Sequence, residues 1–209
     1  MKNIIVATNN IGKITEITRY FKEVASPGGQ PLFHILSLED VLPDFDLEIF
    51  ENGKTFEENA VKKADAIAQA VGQGCPYDYI LADDSGLEID ALGGSPGVDS
   101  ANFLGRETSY ALRFDKILHD LSHTPDEKRT ARFVCVMALI ANGEIATFRA
   151  TVEGRISQKP AGVGGFGYDP IFYIPEFNCT VAELDISEKN KISHRGKALR
   201  MITNEIFNI

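Results

Sequence analysis

Short apolar runs alternate with amphipathic segments along the chain. The runs at residues 4–7 and 79–82 predict buried strands, because apolar side chains would point to both faces of a sheet. The amphipathic segments repeat apolar side chains three and four positions apart, which predicts helices that pack along one face. Thr55 followed by Glu58 fits a capping box at the start of one of them. These helices are expected near residues 13–21, 55–70, 110–121 and 193–206.

Two longer segments, residues 132–141 and 144–152, are joined by Asn142-Gly143, the strongest short-range signal for a β-hairpin. Apolar and polar residues alternate in the second segment, as in a strand with one exposed face. Helices separate the first strands and a tight turn joins the later ones, which indicates an α/β protein with a mixed sheet. The length suits a single domain over residues 1–209.

Composition narrows the function classes. The 209 residues carry a net charge of −9, and 44% are hydrophobic, so there is ample material for a core and intrinsic disorder is excluded. The acidic balance argues against a broad surface for nucleic-acid polymers or anionic membranes. It leaves room for a small phosphate pocket, where a few lysines and a divalent cation suffice.

The cysteines and the apolar runs indicate the cellular compartment of the protein. Cys75, Cys135 and Cys179 lie far apart and form no CxxC pair, as expected for thiols in a reducing cytosol. No signal peptide is recognised after Met1, and the longest apolar run, residues 133–141, is about half a membrane span. We therefore expect a cytoplasmic protein with no membrane partner.

A polar turn joins the first predicted strand to the first helix. Unpaired N–H groups at a helix start, the helix dipole and a lysine charge together favour phosphate binding. The turn is not a P-loop, since no glycine stands where GxxxxGK requires one. A capped helix with a surface lysine is the alternative interpretation. The residues of the turn are Thr8, Asn9, Asn10, Ile11, Gly12 and Lys13.

Two adjacent acids, Asp83 and Asp84, follow the strand predicted at 79–82 and precede Ser85. Successive side chains of a strand point in opposite directions, so one acid can face a site while the other braces the loop. Carboxylates at the end of an apolar strand suit Mg²⁺, which prefers oxygen ligands together with water and phosphate. In the alternative, the aspartates satisfy loop backbone in an Asx turn.

A glycine-rich segment at residues 162–167 formally matches the dinucleotide fingerprint GxGxxG. Its context contradicts that function, because the fingerprint must open a helix and Pro170 disfavours helix at Asp169. We expect instead a loop folded against a flat ligand, with Phe166 or Tyr168 stacking on it. A flexible glycine linker is the alternative.

Five further residues have plain structural explanations when each is taken alone. Ser193 fits the N-cap of the final helix, and His194 and Arg195 would be solvated bases at its start. Glu51 lies among many acids in a predicted loop. Lys63 lies within a predicted helix, where a surface lysine is the usual case.

Five motifs appear in order and together span nearly the whole chain. They are Ala7-Thr8-Asn9-Asn10-Ile11-Gly12-Lys13, Thr55-Phe56-x-x-Asn59-Ala60-x-x-Lys63-Ala64, Ala82-Asp83-Asp84-Ser85-Gly86-Leu87, Gly164-Gly165-Phe166-Gly167-Tyr168-Asp169-Pro170 and Ser193-His194-Arg195-Gly196-Lys197-Ala198-Leu199. As an ordered set they closely resemble the inosine triphosphatase family, the RdgB-type pyrophosphatases that remove non-standard purine nucleoside triphosphates.

The resemblance implies a reaction in which ITP, dITP or XTP and water give the nucleoside monophosphate and pyrophosphate, with Mg²⁺. It also implies a homodimer. The implied fold is an elongated, curved mixed sheet flanked by helices, with two lobes and a central substrate cleft.

The resemblance also implies roles for individual residues. Asp84 is the implied proton acceptor and, with Glu51, a magnesium ligand; residues 8–13 are the implied phosphate-binding turn. The other implied substrate contacts are Lys63, Ser85 and Lys189, with a nucleobase pocket of Phe166, Gly167, Tyr168, Asp169, His194 and Arg195. The departures from the family pattern lie outside the motifs, at residues 26–31, Lys54 and residues 74–78.

Two other function classes stay open. A related hydrolase could act on another modified nucleotide, which a panel of triphosphates would separate. A non-enzymatic nucleotide sensor is the second class, and the acids Glu51 and Asp84 argue against it. Donor groups on His194 and Arg195 would favour the 6-oxo group of hypoxanthine or xanthine over the 6-amino group of adenine.

Overall fold

The computed structural model describes residues 1–24, 29–45, 52–72 and 77–208. The strands are β1 (Lys2–Ala7), β2 (Phe33–Ser37), β3 (Tyr79–Ile89), β4 (Thr130–Ala141), β5 (Glu144–Ile156), β6 (Phe172–Ile174) and β7 (Cys179–Thr180). The α-helices are α1 (Ile11–Glu23), α2 (Leu38–Val41), α3 (Phe56–Val71), α4 (Tyr110–Asp120), α5 (Ile186–Ile192) and α6 (His194–Asn208). Short 3₁₀ helices lie at Asp90–Leu92, Gly97–Ala101, Asp126–Lys128, Asp169–Ile171 and Val181–Glu183.

The described strands form one mixed sheet in the order β2-β1-β3-β4-β5-β6-β7. Strand β1 runs parallel to β2 and β3, with Ile4 opposite Ile35 on one side and Tyr79 on the other. Strand β6 runs antiparallel to both β5 and β7. The expected α/β fold with a mixed sheet flanked by helices is therefore confirmed.

The chain divides into two compact units. The first comprises residues 1–84, 135–150 and 195–209, and the second comprises residues 85–134 and 151–194. Each unit has a hydrophobic core cluster of its own.

The core of the first unit joins α1 and α6 with apolar side chains of β1, β3 and β4. Ile17 and Phe21 lie four positions apart on α1 and are both buried, as the helical spacing predicts. Burying one such side chain contributes about 1.5–3 kcal/mol. The apolar face predicted for the last helix is confirmed, because the following α6 residues are all buried: Ala198, Leu199, Ile202 and Ile206.

The core of the second unit is rich in aromatic side chains. Phe133 of β4 stacks on Phe172 of β6, with ring centroids 4.3 Å apart. Phe114 and Ile117, three positions apart on α4, are buried in the same cluster. The amphipathic pattern that predicts α4 therefore also identifies its inner face.

The hairpin predicted at Asn142-Gly143 is confirmed. The two residues join β4 to β5 and have φ values of +51° and +81°. A two-residue turn with both central residues at positive φ matches the right-handed twist of the strands it joins. Asparagine and glycine reach this region at low steric cost.

The start of α3 differs from the predicted capping box. Thr55 caps the helix by accepting the N–H of Glu58 at 3.1 Å, as predicted. The Glu58 carboxylate, however, accepts the N–H of Lys54 at 2.7 Å, one residue before the cap. Thr55 therefore caps the helix, while Glu58 binds the backbone of the residue before the cap. In a capping box Glu58 would instead accept the N–H of Thr55 itself.

Strand β3 is longer than the sequence predicts. The expected strand end at Asp83 is wrong, since β3 continues through Ser85 to Ile89, and an Asx turn at the two aspartates is excluded with it. The last residue of β1, Ala7, pairs with Ala82, so the parallel neighbour stops just before the acids. Strand β4 continues beside β3, which maintains the sheet there and overrides the low strand propensity of aspartate.

Several sequence expectations fall outside the described residues. They concern Glu51, Cys75 and parts of the two loops that depart from the family pattern, residues 26–28 and 74–76. Cys135 and Cys179 are free thiols, as expected for those two. Over the described ranges, no helix is long and apolar enough to cross a lipid bilayer.

Arg129 is a buried cation in the second unit that the sequence analysis does not single out. Its guanidinium donates to three backbone carbonyls, those of Leu121, Ile156 and Ser157, each at 2.8 Å. Burial lowers the pKa of Arg129, and the charge of Asp126 opposes that shift. The side chain therefore fastens the end of β5 to the segment that follows α4.

We expect Arg129→Met to destabilise the protein by about 3 kcal/mol, because hydrogen bonds from a charged donor contribute about 1.5–3 kcal/mol and the carbonyls would be left unpaired. That corresponds to a fall in Tm of about 6–12 °C for a chain of this size. Lys128→Met is the matched control, since Lys128 is exposed. Equal Tm values for the two variants would contradict this role of Arg129.

Candidate active site

Asp83 is a buried anion held by side chains from several elements of the first unit. Its carboxylate accepts hydrogen bonds from Arg195 Nε at 3.0 Å and Cys135 Sγ at 3.2 Å. It also forms an ion pair with Lys13 Nζ. Arg195 is paired in turn with Glu16, which lies three residues after Lys13 on the same face of α1. Helices α1 and α6 are thus linked electrostatically through β3.

The opposite charges of this network stabilise one another. Burial alone would raise the pKa of Asp83, but Arg195 and Lys13 hold it well below its usual range. Burial alone would lower the pKa of Arg195, but Asp83 and Glu16 raise it. Asp83 and Arg195 are therefore both charged at neutral pH.

Asp84, the next residue of β3, has different partners because successive side chains of a strand point to opposite faces. Its Oδ1 accepts from Lys63 Nζ at 2.9 Å and its Oδ2 from Asn59 Nδ2 at 3.1 Å. Burial raises the pKa of Asp84, although the charges of Lys63 and Lys13 oppose the shift. Each carboxylate oxygen has a second lone pair, so Asp84 has the capacity to accept a proton or bind a cation.

Helix α3 brings Asn59 and Lys63 to Asp84, because residues four positions apart share one helix face. Lys63 is buried and also donates to the backbone carbonyl of Asp83 at 2.7 Å, which excludes a surface lysine. Asn59 Oδ1 accepts the N–H of Gly53 at 2.6 Å. A Cβ at Gly53 would lie 2.6 Å from that oxygen, so the close approach requires glycine.

The turn after β1 is a capped helix start that is open to solvent. Asn10 accepts the N–H of Lys13 at 3.1 Å, and Thr8 Oγ1 accepts the N–H of Asn10 at 3.2 Å. Ile11 is exposed, which leaves the end of α1 accessible. The alternative of a capped helix is thus right about the cap, but the lysine is paired with Asp83 and is not a freely solvated charge.

The glycine-rich segment in the second unit is a fixed loop. Asp169 accepts the N–H of Phe166 at 2.8 Å and pairs with Lys189 Nζ at 2.5 Å. The same ammonium lies 4.6 Å from the centroid of the Phe166 ring, a cation–π distance. Gly165 and Gly167 have φ values of +70° and +64°, which favour glycine. These contacts exclude a flexible linker.

Tyr168 anchors this loop to the core of the second unit. Its ring is buried in the core of the second unit, and its hydroxyl donates to the carbonyl of Ser100 at 2.8 Å. Burial raises the pKa of Tyr168 to about 12. Of the two aromatic rings expected to stack on a ligand, Phe166 is the partly exposed one.

His194 and Arg195 are buried at the start of α6, which excludes two solvated bases at a helix end. His194 stacks on Phe133 in the second unit, with ring centroids 5.0 Å apart, whereas Arg195 belongs to the ion-pair network of the first. Donation from either residue to a nucleobase stays a prediction. Ser85 is half-buried in β3, and Glu51 lies outside the described residues.

Three residues of these networks are not assigned a function by the sequence analysis. Asn59 lies four residues before Lys63 and Glu16 three residues after Lys13, so helical spacing was the available signal. Cys135 lies within an apolar strand, and its partner is 52 positions away in the chain. No local pattern identifies such a contact.

The fold and the site define a class of protein. It is a mixed α/β protein in which two carboxylates of one strand are paired with lysines from the two helices α1 and α3, next to a capped helix start. The chain belongs to the Ham1 family, whose model matches residues 4–205. This confirms the resemblance drawn from the five ordered motifs.

Relatives match the chain over nearly its full length. It is 45% identical to the dITP/XTP pyrophosphatase of Bacillus subtilis, over 97% of this chain and 96% of that protein. It is also 45% identical to the dITP/XTP pyrophosphatase of Geobacter sulfurreducens, over 99% and 97% of the two chains. The solved structure of the Staphylococcus aureus Ham1 protein superposes with a TM-score of 0.81 at 38% identity, covering 99% of each chain.

We expect Lys63→Met to lower the free energy of unfolding by about 3 kcal/mol, the lower end of the cost of breaking a buried ion pair. The lower end is expected because Asp84 can take up a proton when its lysine is removed. Urea unfolding measures the difference. Lys62→Met is the matched control, because Lys62 is exposed and donates to Asn52 at 2.8 Å. Comparable losses in the two variants would contradict a stabilising, buried ion pair at Lys63.

Proposed function

We propose that this chain hydrolyses non-standard purine nucleoside triphosphates, ITP, dITP and XTP, to the nucleoside monophosphate and pyrophosphate. Full-length similarity to proteins named dITP/XTP pyrophosphatase supports the substrate class. The observation that carries the reaction type is Asp84, a carboxylate of raised pKa that Lys63 and Asn59 hold in one orientation.

Asp84 is the proposed proton acceptor. The oxygen of a water molecule forms a bond to phosphorus while its proton passes to the Asp84 carboxylate. The bond from that phosphorus to the α,β-bridging oxygen breaks, and the bridging oxygen leaves with the bonding electrons, so that the nucleoside monophosphate and pyrophosphate separate. A raised pKa makes a carboxylate a stronger base, and fixed hydrogen bonds reduce the cost of orienting it. Lys13 and Lys63 would offset the negative charge of the phosphates, which such reactions require more than covalent chemistry.

Magnesium is proposed as the cofactor, held by Asp84 and Glu51. The donor chemistry at Asp84 fits, because Mg²⁺ prefers carboxylate oxygens and each oxygen of Asp84 has a second lone pair. Among the described residues no group of three or more His, Cys, Asp or Glu side chains could enclose a metal. Mg²⁺ is usually held by one or two carboxylates together with water and substrate phosphates. When bound, the ion would polarise the phosphoryl oxygens.

The proposed base-recognition residues are Phe166 to Asp169 and His194 of the second unit and Arg195 of the first. The Phe166–Asp169 hydrogen bond and the Lys189–Asp169 ion pair hold the glycine-rich loop rigid, as recognition of a flat base requires. Donors from His194 and Arg195 remain candidates for contacts to a 6-oxo group. We propose a cytoplasmic homodimer that binds no nucleic-acid polymer. Hydrolysis of another modified nucleotide is the alternative function.

Release of pyrophosphate from a panel of ITP, XTP, GTP and ATP tests this proposal. With Mg²⁺ we expect kcat/KM for ITP and XTP to exceed that for GTP, and ATP to be no better than GTP. A pocket of donors leaves buried groups unpaired against a 6-amino group, at about 1–3 kcal/mol each. EDTA should abolish the release, and Mg²⁺ should restore it better than Ca²⁺, which tolerates looser geometry.

Three results would count against the proposal or one of its parts. Full activity in EDTA would remove the magnesium role of Glu51 and Asp84. Turnover confined to a different modified nucleotide would favour the alternative hydrolase, and binding without pyrophosphate release would favour a sensor.

We expect Asp84→Asn to lower kcat by about 10²–10⁴-fold, because the amide keeps the shape of the side chain but cannot accept the proton. Nucleotide binding, measured by calorimetry, should remain detectable. Asp65→Asn is the control, an exposed aspartate on α3. An Asp84→Asn protein within a few-fold of the wild-type rate would remove Asp84 from the mechanism.

A further inference from the structure

We infer that Asp83 is a positioning residue for Lys13: a buried, ion-paired carboxylate that holds the lysine ammonium in place for the polyphosphate of the substrate. The inference deepens the proposed function and rests on it for the identity of the ligand. Asp83 itself touches no substrate in this scheme. It acts through Lys13, while its neighbour Asp84 is the proposed base.

The exposure of the side chains in the network supports separate roles for Asp83 and Lys13. The side chains of Asp83, Glu16 and Arg195 are 1%, 2% and 2% exposed, whereas that of Lys13 is 13% exposed. The ion pairs therefore run from the interior to an ammonium that still reaches solvent. That ammonium belongs to the first turn of α1, where the helix dipole favours an anion.

A lysine needs such a partner in order to be pre-ordered. Its four-carbon side chain is flexible, and ordering it only when ligand binds would weaken binding. The contact with Asp83 orders Lys13 in advance. Asp84 does not take this place, because its two oxygens face Lys63 and Asn59 of α3, whereas the Lys13 ammonium forms its ion pair with Asp83.

Arg195 lowers the cost of drawing Lys13 towards a phosphate. Asp83 would be left as an uncompensated buried charge if the lysine were its sole cation. The Arg195 guanidinium also contacts Asp83, at 3.0 Å, but it pairs with Glu16 as well and therefore offsets Asp83 only in part. We therefore expect Lys13 to contact Asp83 and a phosphate together, which the three N–H donors of its ammonium allow.

A double-mutant cycle tests the inference. The wild type, Lys13→Met, Asp83→Asn and the double variant are compared in kcat/KM for ITP and in the Kd for inorganic tripolyphosphate. We expect the cost of Lys13→Met to be at least about tenfold smaller in the Asp83→Asn background than in the wild type. A purely structural role for Asp83 would leave the cost of Lys13→Met unchanged, and that result would overturn the inference.

Ile17→Ala provides the structural control. Ile17 is fully buried on α1, one turn after Lys13, so its truncation destabilises the same helix without touching Asp83. Lys13→Met should cost as much in this background as in the wild type. If circular dichroism shows Asp83→Asn to be unfolded, the cycle is repeated with Asp83→Glu, which keeps the charge but displaces it. A cost of Lys13→Met equal to that in the wild type would then overturn the inference.

The two readouts separate this inference from the proposed function. Coupling in tripolyphosphate binding without hydrolysis of any purine triphosphate would overturn the function and support the positioning role. Hydrolysis of ITP without coupling between Lys13 and Asp83 would support the proposed function and overturn the positioning role. If the wild type neither binds tripolyphosphate nor hydrolyses ITP, both are overturned.

Discussion

The ionised state of Asp83 is the constraint on which the first unit depends. A buried carboxylate is costly unless cations and hydrogen-bond donors compensate it, and here they come from α1, β4 and α6. Those elements compensate the charge only when they are packed in their native places. The network therefore ties the last helix of the chain to the first one, in addition to the apolar core that they share.

Two adjacent aspartates acquire different properties from this arrangement. The alternation of side chains along β3 gives Asp83 to the Arg195–Lys13 pair and Asp84 to Lys63 and Asn59. The result is one carboxyl group with a lowered pKa and one with a raised pKa, separated by a single peptide bond. A site that requires both a permanent anion and a base can be built from two identical residue types in this way.

The second unit supplies a site element of another kind. Its glycine-rich loop is rigid because Asp169 binds the loop backbone and Lys189 together, while Tyr168 is anchored in the core. Positive φ at Gly165 and Gly167 permits this path, and the carboxylate of Asp169 occupies the space beside Gly165. The loop is therefore preorganised by two of its own side chains, Tyr168 and Asp169, together with Lys189 of α5.

Local patterns in the sequence determined much of this protein. Helical spacing located α1, α4 and α6 and their buried faces, and Asn142-Gly143 located the hairpin, because these features depend on residues close together in the chain. The ordered motifs determined the family. Only the tertiary structure decided that β3 continues through its aspartates and that Arg195 pairs with Asp83, 112 positions away, and with Glu16, 179 positions away. Burial and ion pairing depend on which charges meet in space, and residues so distant along the chain meet only after the sheet and helices have assembled.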